Sequence, residues 1–271
     1  MPAMPSLLSN RLAKRVLRPA FTMVEQNFDQ RLERATSAFQ SDLDALQHEV
    51  SDLRRQQYGL SLLLDQAGRD GHRMPTAAQF DTLVREVRDL AGEQGGRARR
   101  DVTVAYRHLV ALEALGVGSL AGSLSDVCGR LATVPLLRPP NGDVLEIGTL
   151  HGLFAAALQR MLRHADIDAR LTIVDPLSDS PTRPDRVRAN LSLGGGDTSR
   201  LIQGDFADPA VRASADDRLY GVIVVNGDHD LSAVAALAAP GAVVVAPGRD
   251  NPGTAALRPL GSVSDSAFLR A

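Results

Sequence analysis

The stretch that most constrains the fold of this chain runs from Asn141 to Leu158 and reads NGDVLEIGTLHGLFAAAL. It opens with a turn signal, and the short apolar run that follows is typical of a buried strand. After Gly152 come good helix formers. The pattern predicts a strand, a glycine-containing turn and a helix, an arrangement that brings backbone N–H groups close to a ligand. Glu146 at the strand end adds an acceptor for an amine or hydroxyl.

Two classes of nucleotide-binding protein use this layout. Dinucleotide-binding proteins use G-x-G-x-x-G with an acid roughly 20 residues further on. Here the pattern is Glu146-x-Gly148-x-x-x-Gly152, so the middle glycine is absent, and the next strand-end acid, Asp175, lies 27 residues after Gly148. The stretch can also be interpreted as an ordinary strand-turn-helix unit that binds no ligand at all.

The stretch resembles instead the first motif of the class I S-adenosylmethionine (SAM) methyltransferases. The sequence EIGTLHG is most similar to the motif in the branch of catechol-type O-methyltransferases and cephalosporin-hydroxylase-like proteins. The resemblance implies SAM as cofactor and a loop that passes under its methionine half. Besides Glu146, that loop contains the expected cofactor-binding residues Gly148, Thr149, His151 and Gly152.

Later strand ends carry further residues that the resemblance assigns to the cofactor. Asp175 ends the strand LTIVD, and the resemblance implies that it binds the ribose hydroxyls. Gly204 and Asp205 end the next strand, and the resemblance implies that they face adenine. Phe206 either covers the adenine ring or packs in the core, and both interpretations stay open.

The fourth strand leads into the loop Asn226-Gly227-Asp228-His229, which resembles the D-G-D-H loop of the same branch. Asn226, at the end of this strand, is a further expected cofactor-binding residue. Asn226 replaces an Asp that is a metal ligand in metal-dependent members, and a neutral amide suits a hard cation less well. We therefore expect no divalent metal site. His229 is the candidate general base, oriented by Asp228, because its pKa can lie near neutrality. A loop-stabilising role for His229 is the alternative.

The first part of the chain has a different pattern. Apolar residues from Val24 to Leu53 recur in steps of four, four and three, which predicts a long coiled-coil-like helix over residues 22–65. We expect this helix to self-associate, and an intrachain hairpin is the alternative. Residues 6–18 form a basic amphipathic segment that contacts an anionic membrane surface or is a frayed helix leader.

Three regions are predicted. Residues 1–70 hold the basic segment and the coiled-coil-like helix, and residues 71–135 form a helical linker or cap, which opens with a capping box at Thr76 and Gln79. Strands alternate with helices over residues 136–271, which predicts a doubly wound, mostly parallel, Rossmann-like α/β domain. The pattern also predicts a short helix that begins at Ser125 or Asp126, a helix from Leu231 to Ala239, and a final hairpin formed by residues 254–263 and 267–271.

Composition excludes several classes of protein. A net charge of −2 and few aromatic residues argue against nucleic-acid binding, and a single cysteine, Cys128, excludes an intramolecular disulfide framework. We find neither a secretory signal nor an apolar run long enough to span a membrane, and expect a cytoplasmic protein.

The leading hypothesis is a SAM-dependent methyltransferase that acts on a hydroxyl of a small molecule or a glycan. A coiled-coil scaffold or assembly protein with a degenerate, non-catalytic methyltransferase-like domain is the alternative. A nicotinamide dehydrogenase is disfavoured because the middle glycine is missing.

Overall fold

The computed structural model describes residues 76–116, 122–177, 183–195 and 199–271, together with seven residues between 36 and 50. The chain divides into two units, Met1–Arg54 and Arg55–Ala271. In the first unit the described residues are all helical, namely Thr36, Gln40, Leu43, Asp44, Leu46, Gln47 and Val50. The rest of the predicted 22–65 helix and the whole of segment 6–18 lie outside the described residues.

The second unit alternates helices and strands along most of its length. Its described helices are α1 (Ala77–Ala91), a 3-10 helix (Gly92–Arg97), α2 (Ala98–Leu115), α3 (Leu124–Leu136), α4 (Leu153–His164), α5 (Arg183–Leu193), α6 (Pro209–Ala215) and α7 (Leu231–Ala235). Its described strands are β1 (Asp143–Ile147), β2 (Arg170–Asp175), β3 (Arg200–Gln203), β4 (Tyr220–Val225), β5 (Ala238–Pro247), β6 (Arg258–Val263) and β7 (Ser266–Arg270).

These strands form one seven-stranded sheet in the order β3-β2-β1-β4-β5-β7-β6. Neighbours from β3 to β5 are parallel, whereas β7 pairs antiparallel with both β5 and β6. This confirms the predicted mostly parallel α/β sheet. The order reverses between β1 and β4, and ligands of such sheets bind beyond the carboxyl ends of the strands at that point.

Two hydrophobic clusters cover the two faces of the sheet. Successive residues of β1 alternate between them, with Val144 in one cluster and Leu145 in the other, as the two-residue period of a strand requires. Leu83 of α1 and Leu112 of α2 belong to the same cluster as Val144. The helices between residues 77 and 136 therefore share a core with the sheet.

Local capping signals fix several helix starts. The Thr76 hydroxyl accepts a hydrogen bond from the Gln79 N–H at 3.2 Å, and the Gln79 side chain accepts one from the Thr76 N–H at 2.9 Å, which confirms the predicted capping box. Helix α3 begins at Leu124, with Ser123 as its cap, slightly before the predicted start at residue 125 or 126.

Two elements end earlier than the sequence suggests. Strand β3 stops at Gln203, so the predicted strand end at Gly204–Phe206 lies in the following loop. Helix α7 stops at Ala235 rather than Ala239, since β5 already begins at Ala238. Among the helices that the structure describes, none is long and apolar enough to cross a membrane.

Candidate cofactor site

The turn after β1 needs glycine at two positions. Gly148 has φ +78° and donates its N–H to the Val174 carbonyl at 2.8 Å. A Cβ there would lie 2.9 Å from the carbonyl oxygen of Asn226, closer than such contacts allow. Gly152 has φ +77° and precedes α4 without a side-chain cap. Both glycines therefore allow close packing at this turn, Gly148 against the loop after β4 and Gly152 against Val187 of α5, and the turn leads directly into the N-terminus of α4.

Glu146 is the central acid of the site. It is 1% exposed, and its Oε1 accepts a hydrogen bond from the Asn226 amide at 3.3 Å. No described residue donates a hydrogen bond to its Oε2 with standard geometry. Burial raises the pKa of Glu146 to about 7, and the charge of Asp175 adds to this, while the side chains of Thr149, Asn226 and Arg130 oppose it. A buried acid with a free oxygen is suited to bind a cationic group of a ligand.

Asp175 holds the same turn from the end of β2. Its carboxylate accepts hydrogen bonds from the backbone N–H of Thr149 at 2.7 Å and of Leu177 at 2.8 Å. The guanidinium of Arg183 lies 3.5 Å from it. Asp175 therefore connects the tips of β1 and β2.

Asn226 joins β1 to β4 through both ends of its amide. Its Nδ2 donates to the Gly148 carbonyl at 2.6 Å as well as to Glu146, and its Oδ1 accepts from Arg130 at 2.8 Å. A carboxylate at this position would accept from Arg130 but could not donate to the other two groups. The amide is thus matched to its surroundings in this chain.

A cavity of about 350 Å³ opens in front of these groups. Five of the residues predicted to bind the cofactor line it, namely Glu146, Gly148, Thr149, His151 and Asn226. Its remaining lining residues are Gly122, Val127, Arg130, Leu150, Leu153, Phe154, Arg183, Val225, Gly227 and Pro247. A cavity with few polar groups among apolar walls is the usual form of a small-molecule site.

The other predicted site residues lie outside that lining. Asp205 is exposed and accepts a hydrogen bond from the Ala207 N–H at 2.9 Å. Phe206 is 3% exposed and belongs to the second hydrophobic cluster, where the ring of His229 meets it edge-on at 5.8 Å. Asp228 is exposed and makes no hydrogen bond to His229.

Gly204 and Gly152 lie where a side chain would clash with a neighbouring helix. Gly204 has φ +153°, and a Cβ there would lie 2.4 Å from a methyl group of Val211. A Cβ at Gly152 would lie 3.1 Å from a methyl group of Val187. Both glycines allow neighbouring elements to approach.

The loop after β5 has its own local structure. The Asn251 side chain accepts from the Gly253 N–H at 3.0 Å and donates to the Pro247 carbonyl at 3.4 Å. Across the described residues, no three His, Cys, Asp or Glu side chains are grouped closely enough to hold a metal ion.

Sequence reasoning missed two arginines of the cavity, Arg130 and Arg183. Arg130 follows Asp126 by four residues in the otherwise mostly apolar helix α3, and the two form an ion pair. A charged i,i+4 pair on a largely buried helix is a signal that could have identified this position.

Comparison with known proteins adds independent evidence. A family model described as a methyltransferase domain matches residues 145–248. A search of curated proteins found no match.

Several solved structures are similar to the chain at low identity. Cofactor-bound Rv0187 from MTB is 21% identical with a TM-score of 0.40, and the match covers 54% of this chain and 65% of that one. The O-methyltransferase TomG from Streptomyces achromogenes in complex with SAM is 18% identical with a TM-score of 0.41, covering 56% and 71%. CalS11, a TDP-rhamnose 3'-O-methyltransferase, is 16% identical with a TM-score of 0.42, covering 73% and 96%.

All three scores lie below 0.5, so the assignment depends on the family model and on the sheet order and turn geometry of this chain. The match spans less than two thirds of the Rv0187 chain. Membership of the branch of catechol-type O-methyltransferases and cephalosporin-hydroxylase-like proteins stays a prediction. Residues 145–248 match the model of a methyltransferase domain, which agrees with the predicted resemblance to class I SAM-dependent methyltransferases.

Proposed function

We propose that this protein transfers a methyl group from SAM to a hydroxyl oxygen of a small molecule or a glycan. The observation that carries the proposal is the cavity at the order reversal of the sheet, where Glu146, the glycine turn and Asn226 meet. The buried oxygen Oε2 of Glu146, to which no described residue donates a hydrogen bond, is suited to the ammonium group of a ligand that carries an amino-acid tail.

SAM supplies an electrophilic methyl group on a sulfonium centre. The protein has to hold the donor and the acceptor in line and exclude water. In our proposal Glu146 binds the ammonium group, the turn that contains Thr149 and His151 borders the tail, and Asp175 binds the ribose. Gly204 and Asp205 are proposed to border the adenine. Phe206 is buried, so its proposed contribution is the wall behind that position.

His229 is proposed as the base that removes the acceptor proton, with Asp228 nearby. The edge-on contact with Phe206 supports a defined ring position next to the loop after β4. His229→Ala is expected to lower turnover far more than SAM affinity. Unchanged turnover would exclude the base role and leave His229 as a loop-stabilising residue.

The assay is transfer of a labelled methyl group from SAM to a panel of hydroxylated small molecules and glycans, with and without magnesium. Product formation without magnesium supports the proposal. Binding of SAM with no transfer to any acceptor, under conditions where a control O-methyltransferase is active, would favour a non-catalytic scaffold.

We further propose that residues 22–65 form a homo-oligomer. Leu43, Leu46 and Val50 occupy the predicted apolar stripe, and each is helical and exposed by 46–57%. Sedimentation should give a mass that rises with concentration, and a concentration-independent monomer mass would remove this proposal. The three-region division, membrane contact by residues 6–18 and a cytoplasmic location stay predictions.

A further inference from the structure

We infer that Arg130 of helix α3 binds the carboxylate of the cofactor's amino-acid tail, while Glu146 binds its ammonium group. Asn226 lies between the two and fixes their spacing. This inference rests on the proposed use of SAM. It goes further in assigning a binding role to an arginine outside the residues matched by the family model.

Arg130 is held firmly at the cavity wall. Its Nε donates to Asp126 at 2.8 Å, its Nη2 donates to the same carboxylate, and its Nη1 donates to Asn226 at 2.8 Å. The guanidinium lies over the Phe154 ring, 5.7 Å from the centroid. Its side chain is only 15% exposed. A guanidinium fixed on three sides loses little freedom when it binds a ligand.

The position of Asp126 is itself fixed. The Ser266 hydroxyl of β7 donates to Asp126 at 2.7 Å, and both residues are buried. Hydrogen bonds therefore connect the antiparallel edge of the sheet, through Asp126 and Arg130, to Asn226 at the tip of β4. Such a network holds a charged group in one place.

The guanidinium keeps donors for a ligand. Its hydrogen bonds to described residues use one N–H on each of its three nitrogens, so one N–H remains on Nη1 and one on Nη2. Two N–H groups on one planar guanidinium match the two oxygens of a carboxylate. Arg130 also lines the cavity, as Glu146 does.

The distance between the two charged groups suits an α-amino acid. Glu146 Oε1 lies 3.3 Å from the Asn226 nitrogen, and Arg130 lies 2.8 Å from the Asn226 oxygen. With the width of the amide added, the acid and the guanidinium are at most about 8 Å apart. An ammonium and a carboxylate on one carbon, each with a charge-assisted hydrogen bond of about 2.8 Å, span a similar length.

Each charged group of the tail meets a group of opposite charge. Asp126 already compensates the charge of Arg130, so an isolated anion would gain little net attraction there. A zwitterion brings one positive and one negative group, which meet Glu146 and Arg130 respectively. This arrangement leaves neither buried charge without a partner.

The test uses three probes that differ only in the tail region. S-adenosylhomocysteine carries the full amino-acid tail, decarboxylated S-adenosylhomocysteine keeps the amine but lacks the carboxylate, and 5'-methylthioadenosine lacks both. Affinities are measured by calorimetry for the full-length wild type and for Arg130→Gln, Arg130→Lys and Glu146→Gln. Arg188→Gln is the control, because Arg188 is an exposed arginine paired with Asp185 away from the cavity lining.

Arg130→Gln should weaken S-adenosylhomocysteine binding about 10- to 100-fold, the loss expected for charge-assisted hydrogen bonds. It should leave the other two probes unchanged, which also shows that the variant is folded. Arg130→Lys should lose less, and Arg188→Gln should match the wild type. Glu146→Gln should weaken both amine-bearing probes.

Two results would overturn the inference. One is an equal loss for all three probes in Arg130→Gln, which would show that Arg130 acts only on the structure. The other is unchanged S-adenosylhomocysteine binding in that variant. A wild type that binds none of the three probes would instead overturn the proposed function itself.

Discussion

Replacing Glu146 by Gln should stabilise the protein without its cofactor at alkaline pH while weakening cofactor binding. Glu146 is fully buried, and burial raises the pKa of its carboxyl to about 7 from the ordinary 4.5. In the unfolded chain the carboxyl ionises near its ordinary value. As pH rises from 4.5 to 7, the unfolded state therefore loses a proton that the folded state keeps, and the wild type loses stability over this range.

The magnitude follows from the size of the shift. One pKa unit corresponds to about 1.4 kcal/mol, so the wild type should have lost roughly 3 kcal/mol by pH 8 and roughly 1 kcal/mol by pH 5. Gln does not ionise, and its amide oxygen can accept the hydrogen bond that Asn226 donates to Oε1. Glu146→Gln should therefore be more stable than the wild type by up to roughly 3 kcal/mol at pH 8, or about 6–12 °C in Tm for a domain of this size.

The assay is chemical denaturation of both proteins at pH 5 and pH 8 without ligand. Asp143→Asn is a matched control on the same strand, because Asp143 is buried but paired with Arg170 at 2.7 Å and Arg218 at 3.6 Å. Removing a paired charge should destabilise the protein at pH 8. Equal stability of Glu146→Gln and wild type at pH 8, or a less stable Glu146→Gln, would refute the reasoning.

Three other changes test separate parts of the structure. Asn226→Asp removes the donors to Gly148 and Glu146 and adds a second acid. The free energy of unfolding, measured by denaturation at pH 8, should fall by about 1–3 kcal/mol. An unchanged stability would contradict the role of the amide. Gly148→Ala places a Cβ within 2.9 Å of the Asn226 carbonyl oxygen, at a residue with positive φ. Calorimetry should then detect little S-adenosylhomocysteine binding. Wild-type affinity in this variant would show that the turn does not need the close contact between Gly148 and Asn226. Thr76→Ala removes the capping box with Gln79 and should cost about 1 kcal/mol of stability at any pH, without effect on binding.

The parts of the fold that depend on local pattern were predictable from the sequence. The capping box at Thr76, the apolar strands on both sides of the order reversal and the final hairpin all follow from short-range chemistry. Alternation of strands and helices then allows few arrangements of a parallel sheet. Element ends were less predictable, as β3 shows, because the chain turns at Gly204 to let Val211 of α6 approach.

The candidate site was predictable only in part. The motif pointed to Glu146 and the glycine turn, and the structure brings them together with Asn226 in one cavity. Arg130 is 96 residues away from Asn226 in the sequence, so only the packing of α3 on the sheet brings the two into contact. The replacement of Asp by Asn at 226 indicated weaker metal binding, but its hydrogen bonds to three different groups were not readable from the sequence.

The most direct test of the account is calorimetric titration of the wild-type protein with S-adenosylhomocysteine at pH 6 and pH 8, with NADH as the comparison. Ionised Glu146 favours the ammonium group of the ligand, so one site should bind S-adenosylhomocysteine more tightly at pH 8, without magnesium, and NADH should not compete. No binding of S-adenosylhomocysteine at either pH, or displacement of it by NADH, would contradict the central claim that the cavity beside Glu146 holds a nucleoside with an amino-acid tail.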